Sequence, residues 1–440
     1  MSRDRDDIDD DDEDEDDREL VLFQGALNGQ DANLAANARL VRAGLIPSKN
    51  IVTNALDRRA ETIVMDPKGQ ATLVRFVIDG VAYPGAKLTR QQGLAVTQMM
   101  KLLSGLDIQQ RKIPQSGGVR AELTGTKYEL RIESTPIAEG AERLTIRARN
   151  LKNDIETPGG AGISDDLRKK IRDLSHLGSG ALLVCGPPHS GTTTTSYAVL
   201  RSIDAYMQSI FTIADMGGRD IIHITPFAVE PGQSWNEVID RLIRVEAHVL
   251  FIDPIHNAET ARNVLDAQKR LVIVGEFTAK DAAHGIVQLC QWAGDPKLVA
   301  EGVRGVVSSK LVRLLCQSCR AAFRPNPKLL QRIGLPPETK TLYRATTAPP
   351  PHAHDDDEEE EEYIPCSKCN GIGFLGRTGL FELIEMTDAM RQLVAENPDV
   401  AEIKKLARAE GMTTLQGSGL ELVAKGKTSL EELQRVFKAS

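Results

Sequence analysis

The sequence predicts an α/β protein. A small α+β domain comes first, followed by a larger domain with a mostly parallel sheet, a cysteine-rich insertion and a helical C-terminal part. Three observations carry that expectation. Short apolar runs at Ala181–Cys185, Ile210–Ile213, Val249–Ile252 and Leu271–Val274 alternate with helical segments, as strands covered on both faces by crossover helices do. The 440 residues exceed what one ordinary core fills. Between the first apolar run and the next helix, Gly186-Pro-Pro-His-Ser-Gly191-Thr192-Thr193 has the register Gly-x-x-x-x-Gly-Lys-Ser/Thr of a phosphate loop, with Thr192 at the lysine position.

Charge divides the chain unevenly. Residues 1–20 hold thirteen acids and three arginines, and Asp355–Glu362 are eight consecutive acids. With both runs set aside, the net charge of −8 becomes +10. Segments this dense in one sign repel themselves and stay solvated, so they read as a disordered tail and loop, or as an intramolecular mask for the basic remainder. That remainder has no aromatic-interleaved basic strand and no recognition-helix signature, so no nucleic-acid partner is expected. No apolar run approaches the ~18–20 residues that span a bilayer, and the aspartate-rich start is no signal peptide. The predicted location is cytoplasmic.

In chain order, Asp31–Ala43 reads as an alanine-rich helix, Ile63–Met65 and Leu73–Ile78 as strands, and Leu94–Leu103 as a helix. Val119–Leu123, Tyr128–Glu133 and Arg143–Arg149 read as three more strands. Ser164 begins a capping-box-like start to a helix through Leu174. Residues from Asp388 to Phe437 read as helical. The predicted segments are a tail over 1–20, the α+β domain over 21–150, a linker over 151–162 and the phosphate-loop core over 163–315. A cysteine module over 316–384, with its acidic insert near 340–362, and a helical part over 385–440 complete the chain.

Four of the six cysteines form Cys316-Gln-Ser-Cys319 and Cys366-Ser-Lys-Cys369, two knuckles with the donor set of structural zinc. The 46 residues between them exceed the spacing of a compact zinc ribbon, and the acidic insert accounts for much of that length. Two free-thiol pairs are the other reading. Cys185 and Cys290 sit in apolar runs and read as small hydrophobes.

Several segments, in order, carry a family resemblance. They are Arg75-Phe-Val-Ile-Asp79-Gly80, Leu106-Asp-Ile-Gln-Gln-Arg111-Lys-Ile-Pro114-Gln115, and the phosphate loop with Gly186, Ser190, Gly191, Thr193 and Thr194. Ala258-Glu-Thr-Ala261, both knuckles, Gly376-Arg-Thr-Gly-Leu-Phe-Glu382 and Thr428-Ser-Leu-Glu-Glu432 follow. Over about residues 58–438 the chain resembles the type II secretion and type IV pilus assembly ATPases. The resemblance implies a PAS-like N-terminal domain, a RecA-like motor domain, ATP and Mg²⁺ at the loop, and hexameric assembly as a homo- or hetero-hexamer with a paralogue. It also implies an inner-membrane secretion or pilus platform as partner, although the acidic tail stands where many members carry a platform-binding region. Arg75, Arg111, Arg131, Arg147 and Arg244 match arginines that the family brings toward the nucleotide, and each reads equally well as a surface or salt-bridged arginine.

Against that pattern the chemistry is depleted. Thr192 replaces the lysine, Ala214 the glutamate of the family's acidic box, and Pro254 the Walker B glutamate, while the histidine box holds no histidine. Thr193, matching the magnesium-binding threonine, is kept. The sequence therefore predicts a hydrolytically impaired member. The alternative is a divergent active ATPase with Asp253 or Glu276 as substitute acid and Lys269 or Arg270 as substitute cation.

Overall fold

A computed structural model describes residues 18–138, 140–152, 157–216, 221–252, 254–347 and 364–438. The acidic tail through residue 17, the run Asp355–Glu362 and Asp253 lie outside the described residues. The chain divides into two compact units, Met1–Asn153 and Asp154–Ser440.

The first unit is one seven-stranded antiparallel sheet with two helices. In chain order its elements are β1 (Leu22–Ala26), α1 (Ala38–Asp57), β2 (Thr62–Lys68), β3 (Ala71–Ile78), β4 (Val81–Thr89), α2 (Arg90–Leu103), β5 (Gln115–Leu123), β6 (Thr126–Ala138) and β7 (Ala141–Asn150). The strand order is β1-β5-β6-β7-β2-β3-β4. β2 and β3 alternate strictly, burying Ile63, Met65, Val74, Phe76 and Ile78 on one face. α2 starts earlier than its apolar spacing shows, because Thr89 and Gln92 close a capping box.

α1 corrects the sequence reading. The helix predicted over Asp31–Ala43 begins at Ala38 and runs through Pro47 to Asp57. A proline inside a helix removes a hydrogen bond and normally ends it. Here burial of Ile51, Val52, Ala55 and Leu56 outweighs that loss, at ~1.5–3 kcal/mol for each large aliphatic side chain. Gly44 lets α1 approach α2 closely, since a Cβ there would stand 2.7 Å from the Ala95 carbonyl.

The second unit continues with α3 (Pro158–Ala161), α4 (Asp165–Ser175), β8 (Gly180–Gly186), α5 (Thr192–Leu200), β9 (Ile210–Thr212), β10 (Ile224–Pro226), α6 (Trp235–Arg244), β11 (Val249–Phe251), α7 (Ala258–Ala267), β12 (Val272–Thr278), α8 (Ala282–Ala293) and α9 (Pro296–Gly302). Then come β13 (Val303–Leu315), β14 (Ala321–Phe323), α10 (Pro327–Ile333), β15 (Leu342–Arg344), β16 (Phe374–Glu385), α11 (Asp388–Glu396), α12 (Val400–Ala409), α13 (Leu415–Ala424) and α14 (Leu430–Lys438). The large sheet has the order β10-β9-β11-β12-β8-β13-β16, parallel except where β16 runs against β13. β16, which the sequence reading grouped with the cysteine module, is thus the edge strand of this sheet.

β8 shows why its run is apolar throughout. Ala181, Leu183 and Cys185 enter the core shared with α8, whereas Leu182 and Val184 enter the one shared with α5. Both isolated cysteines are buried, and burial pushes the Cys290 thiol up to about 12 and the Cys185 thiol up as well.

A buried carboxylate fastens the last helix to β13. Glu432, 1% exposed, accepts from Arg313 Nη2 at 2.8 Å, Arg435 Nη2 at 2.7 Å and the Arg313 backbone N–H at 3.0 Å. Thr428 Oγ1 donates to the Arg313 carbonyl at 2.8 Å, and the Arg313 guanidinium stacks 3.9 Å over the Phe374 ring. Burial alone would raise the Glu432 carboxyl, but the Arg435 and Arg313 donors overcome it and hold the group below its ordinary range. A depressed carboxyl contributes stability that is present above its unfolded pKa and lost as pH falls through the folded one. Removing one partner of such a network costs ~3–5 kcal/mol. Glu432→Ala is therefore expected to lower the unfolding free energy from urea titration at neutral pH by that amount, with the gap from wild type shrinking below about pH 4.

Candidate phosphate-loop site and cysteine cluster

The carboxyl ends of β8, β12 and β11 share one edge of the sheet, the edge where open α/β sheets bind ligands. The loop from Gly186 to Thr193 leaves β8 there. Its shape is set by backbone. Gly191 caps α5 with φ +81, and His189 takes φ +64. Gly186 admits nothing larger, because a Cβ would meet Ser190 Oγ and stand 2.8 Å from the Ser309 carbonyl. Ser190 Oγ lies 3.2 Å from Thr192 Oγ1, so the residue at the lysine position turns back into the loop. No side chain caps α5, which leaves its first-turn N–H groups and the positive end of its dipole toward the loop.

Glu276 on β12 faces that first turn. Its Oε1 accepts from Thr193 Oγ1 at 2.7 Å and its Oε2 from Ser196 Oγ at 2.8 Å, and the residue is only 8% exposed. Sequence reasoning named Glu276 and Thr193 but missed Ser196, whose spacing of three from Thr193 puts both hydroxyls on one helix face. Thr194 is half-buried in the same turn.

Within the second unit, the other described candidates do not converge on the loop. Ala214 packs its methyl against the core on the α5 side, and its N–H donates to Thr212 Oγ1 at 3.0 Å. Pro254 is exposed between β11 and α7. The proposed substitute cations are a clear miss. Arg270 pairs with Asp240 at 2.7 Å and Lys269 with Asp266 at 2.9 Å, before the amino end of β12. At ~3.3 Å per residue that is roughly 20 Å from the loop edge. Arg244 donates to the Asp240 carbonyl of its own helix at 3.2 Å.

In the first unit, Arg75 pairs with Asp66 alongside Arg143, Arg131 with Glu129 at 2.9 Å, and Arg147 with Glu133 at 3.5 Å. Arg111 stands on a loop that Gln115 ties by donating to the Asp107 and Gln110 carbonyls at 3.0 and 2.8 Å.

The loop thus offers N–H donors, a threonine hydroxyl and an acid, a donor set that fits a phosphate with a divalent cation. It lacks the lysine that usually completes one.

The cysteine cluster lies just beyond the carboxyl end of β13. Pairing of Leu315 with Phe374 brings the two knuckles together across their long sequence gap. The four Sγ atoms lie within 4.8 Å of one another, with Cys316–Cys366 at 3.9 Å and Cys319–Cys369 at 3.6 Å. Tetrahedral zinc at ~2.3 Å from each sulfur requires S···S near ~3.8 Å. Backbone N–H groups of Cys369 and Lys368 hold the Cys366 thiol down to about 7, while burial pushes Cys319 and Cys369 up. The cluster can therefore hold zinc, which would ionise all four thiols together.

Comparison with known proteins now decides the family. The sequence model described as type II/IV secretion system protein matches residues 40–435. This chain belongs to that family. Among relatives, the type IV pilus assembly ATPase PilB of Thermus thermophilus is 26% identical over 391 residues, covering 88% of this chain and 42% of that protein. Type II secretion system protein E of Dickeya dadantii is 28% identical over 418 residues, covering 94% of this chain and 77% of that protein. In three dimensions the chain is similar to the ATPase DotB of Legionella pneumophila, with TM-score 0.57 and 12% identity over 90% of this chain and 96% of that one. That likeness shows the fold. No described helix is long and apolar enough to cross a membrane.

Two outcomes are expected. Metal analysis of the purified chain should find about one zinc per chain, and Cys369→Ser should lose it together with a fall in Tm. His189→Gly should leave stability unchanged or raise it by up to ~1 kcal/mol, read as an equal or higher Tm, since a left-handed non-glycine residue is replaced by one that adopts it freely, whereas His189→Val should lower Tm.

Proposed function

We propose that this family member is a catalytically impaired subunit of a secretion or pilus-assembly motor, structural or regulatory in role. It works in a ring, homomeric or mixed with a hydrolysing paralogue, and meets the inner-membrane platform through that assembly. The observation that carries the reading is the contrast between a kept cradle and lost chemistry. The loop geometry, the cysteine cluster and the Glu432 network are intact, while the lysine, both catalytic acids and the histidines are replaced. A single lost electrostatic stabiliser costs about 10²–10³ in rate. Losses within one site do not multiply, yet the phosphate cation, the water-activating acid and the γ-phosphate sensor are absent together. The divergent-ATPase alternative needs a cation near the phosphates, and Lys269 and Arg270 are committed at the far end of β12.

Phosphate release by the purified chain, measured against Thr192→Lys combined with Pro254→Glu, tests the reading. The unaltered chain is expected to show no turnover above background, with any gain confined to the double variant. Clear turnover by the unaltered chain would overturn it. Pull-down from native lysate should recover a hydrolysing relative, and recovery of none would count against the mixed ring.

A further inference from the structure

Close to the phosphate loop the balance of charge is negative. Thr192 supplies no cation at the lysine position, and Glu276 places a buried carboxylate on the adjacent strand. The strand order explains why that acid matters. β12 is the direct neighbour of β8, whereas β11, where Pro254 has removed the acid, is one strand farther away. Adjacent strands are ~4.8 Å apart, so an acid at the end of β12 stands one such spacing nearer the loop.

We propose that Glu276 makes nucleotide capture at this loop obligatorily metal-dependent. The site takes a nucleoside diphosphate or triphosphate only as its divalent-cation complex, the cation supplying the positive charge that Thr192 does not. This rests on the loop being a phosphate site and is independent of whether the subunit hydrolyses anything. With its proton directed to Glu276 Oε1, the Thr193 hydroxyl presents only lone pairs outward. Lone pairs suit a hard cation and repel a bare phosphate oxygen. Ser196, donating to Oε2, fixes the carboxylate so that it cannot swing away. A carboxylate ~5 Å from a bare phosphate, at an effective dielectric of ~20, weakens binding on the order of 100-fold. A cation between the two reverses the sign of both contacts. Lys280, just beyond β12, is the protein cation that could serve instead.

The test is titration of a fluorescent ADP analogue into the full-length chain, with Mg²⁺ and in resin-treated buffer free of added divalent cations, which leaves the cysteine cluster loaded. The wild type is expected to bind on the order of 100-fold more tightly with Mg²⁺. Glu276→Gln, which keeps the side-chain shape, should cut that ratio to ~10-fold or less by restoring metal-free binding. Thr192→Lys, altering the other half of the charge deficit, should do the same. Equal wild-type binding with and without Mg²⁺ would mean that a protein cation such as Lys280 already neutralises the phosphates, and would overturn the proposal. No binding under either condition, or a ratio unchanged in either variant, would overturn it too. Turnover of ATP by the wild type would sink the impaired-subunit reading and leave this one standing.

Discussion

The double pairing of β13 is the constraint on which the second unit turns. Its first half runs parallel to β8 and its whole length antiparallel to β16. Along these thirteen residues, the Ser309 carbonyl closes the space over Gly186, Leu311 lies 3.3 Å from where Gly191 would carry a Cβ, and Arg313 holds Glu432. Leu315 then donates to the Lys427 carbonyl at 2.8 Å, and Cys316 opens the cluster. A slip of one residue would turn every one of these side chains to the wrong face. The loop cradle, the cysteine cluster and the C-terminal helices therefore share one register. A chain that needs the last two keeps the first, whatever chemistry the cradle performs.

That coupling separates shape from charge at the phosphate loop. Shape is written in backbone: the left-handed Gly191 and His189, and a Gly186 with no room for a side chain. Charge is written in side chains, and Thr192, Ala214 and Pro254 carry none. His189 makes the distinction visible, since it holds a conformation that costs a non-glycine residue ~1–2 kcal/mol. The surrounding sheet enforces the loop even where its residue does not favour it. Phosphate-loop geometry alone is consequently no measure of catalytic competence in this protein.

How much was legible in the sequence follows the same division. Strands buried on both faces, such as β8 and β12, announced themselves as apolar runs, and strictly alternating β3 did so by its period of two. The knuckles were legible because four cysteines at that spacing have few other uses. What escaped was what tertiary packing decides. Gly44 and Pro47 argue locally for a helix end, yet close approach to α2 carries α1 through both. β16 reads as part of the cysteine module until β13 is seen to pair with it. At the site, Glu276 was recognisable as an acid in the right segment, but Lys269 and Arg270, seven and six residues upstream, looked equally near. Only the strand, extended at ~3.3 Å per residue, puts them at opposite ends. Ser196 carried no motif signal at all, and only helical spacing from Thr193 could have raised it.

Which family motifs survived can be argued from burial. Glu432 and Glu382 are both under 9% exposed, and each ties separate elements together, Glu382 by accepting from the Ala282 and Leu415 backbone N–H groups at 3.1 and 3.3 Å. Replacing either strands buried donors, at ~1–3 kcal/mol for each unsatisfied group and more for a charged one. The positions that lost their acids impose no such penalty. Pro254 is exposed and Ala214 only half-buried, and neither position ties buried donors from separate elements as Glu432 and Glu382 do. On the proposed reading, with no turnover demanded of this subunit, stability defends the first group and nothing defends the second. Glu276 belongs with the defended group by its burial and with the site by its contacts. Its removal would leave two hydroxyls, those of Thr193 and Ser196, without the acceptor they now share.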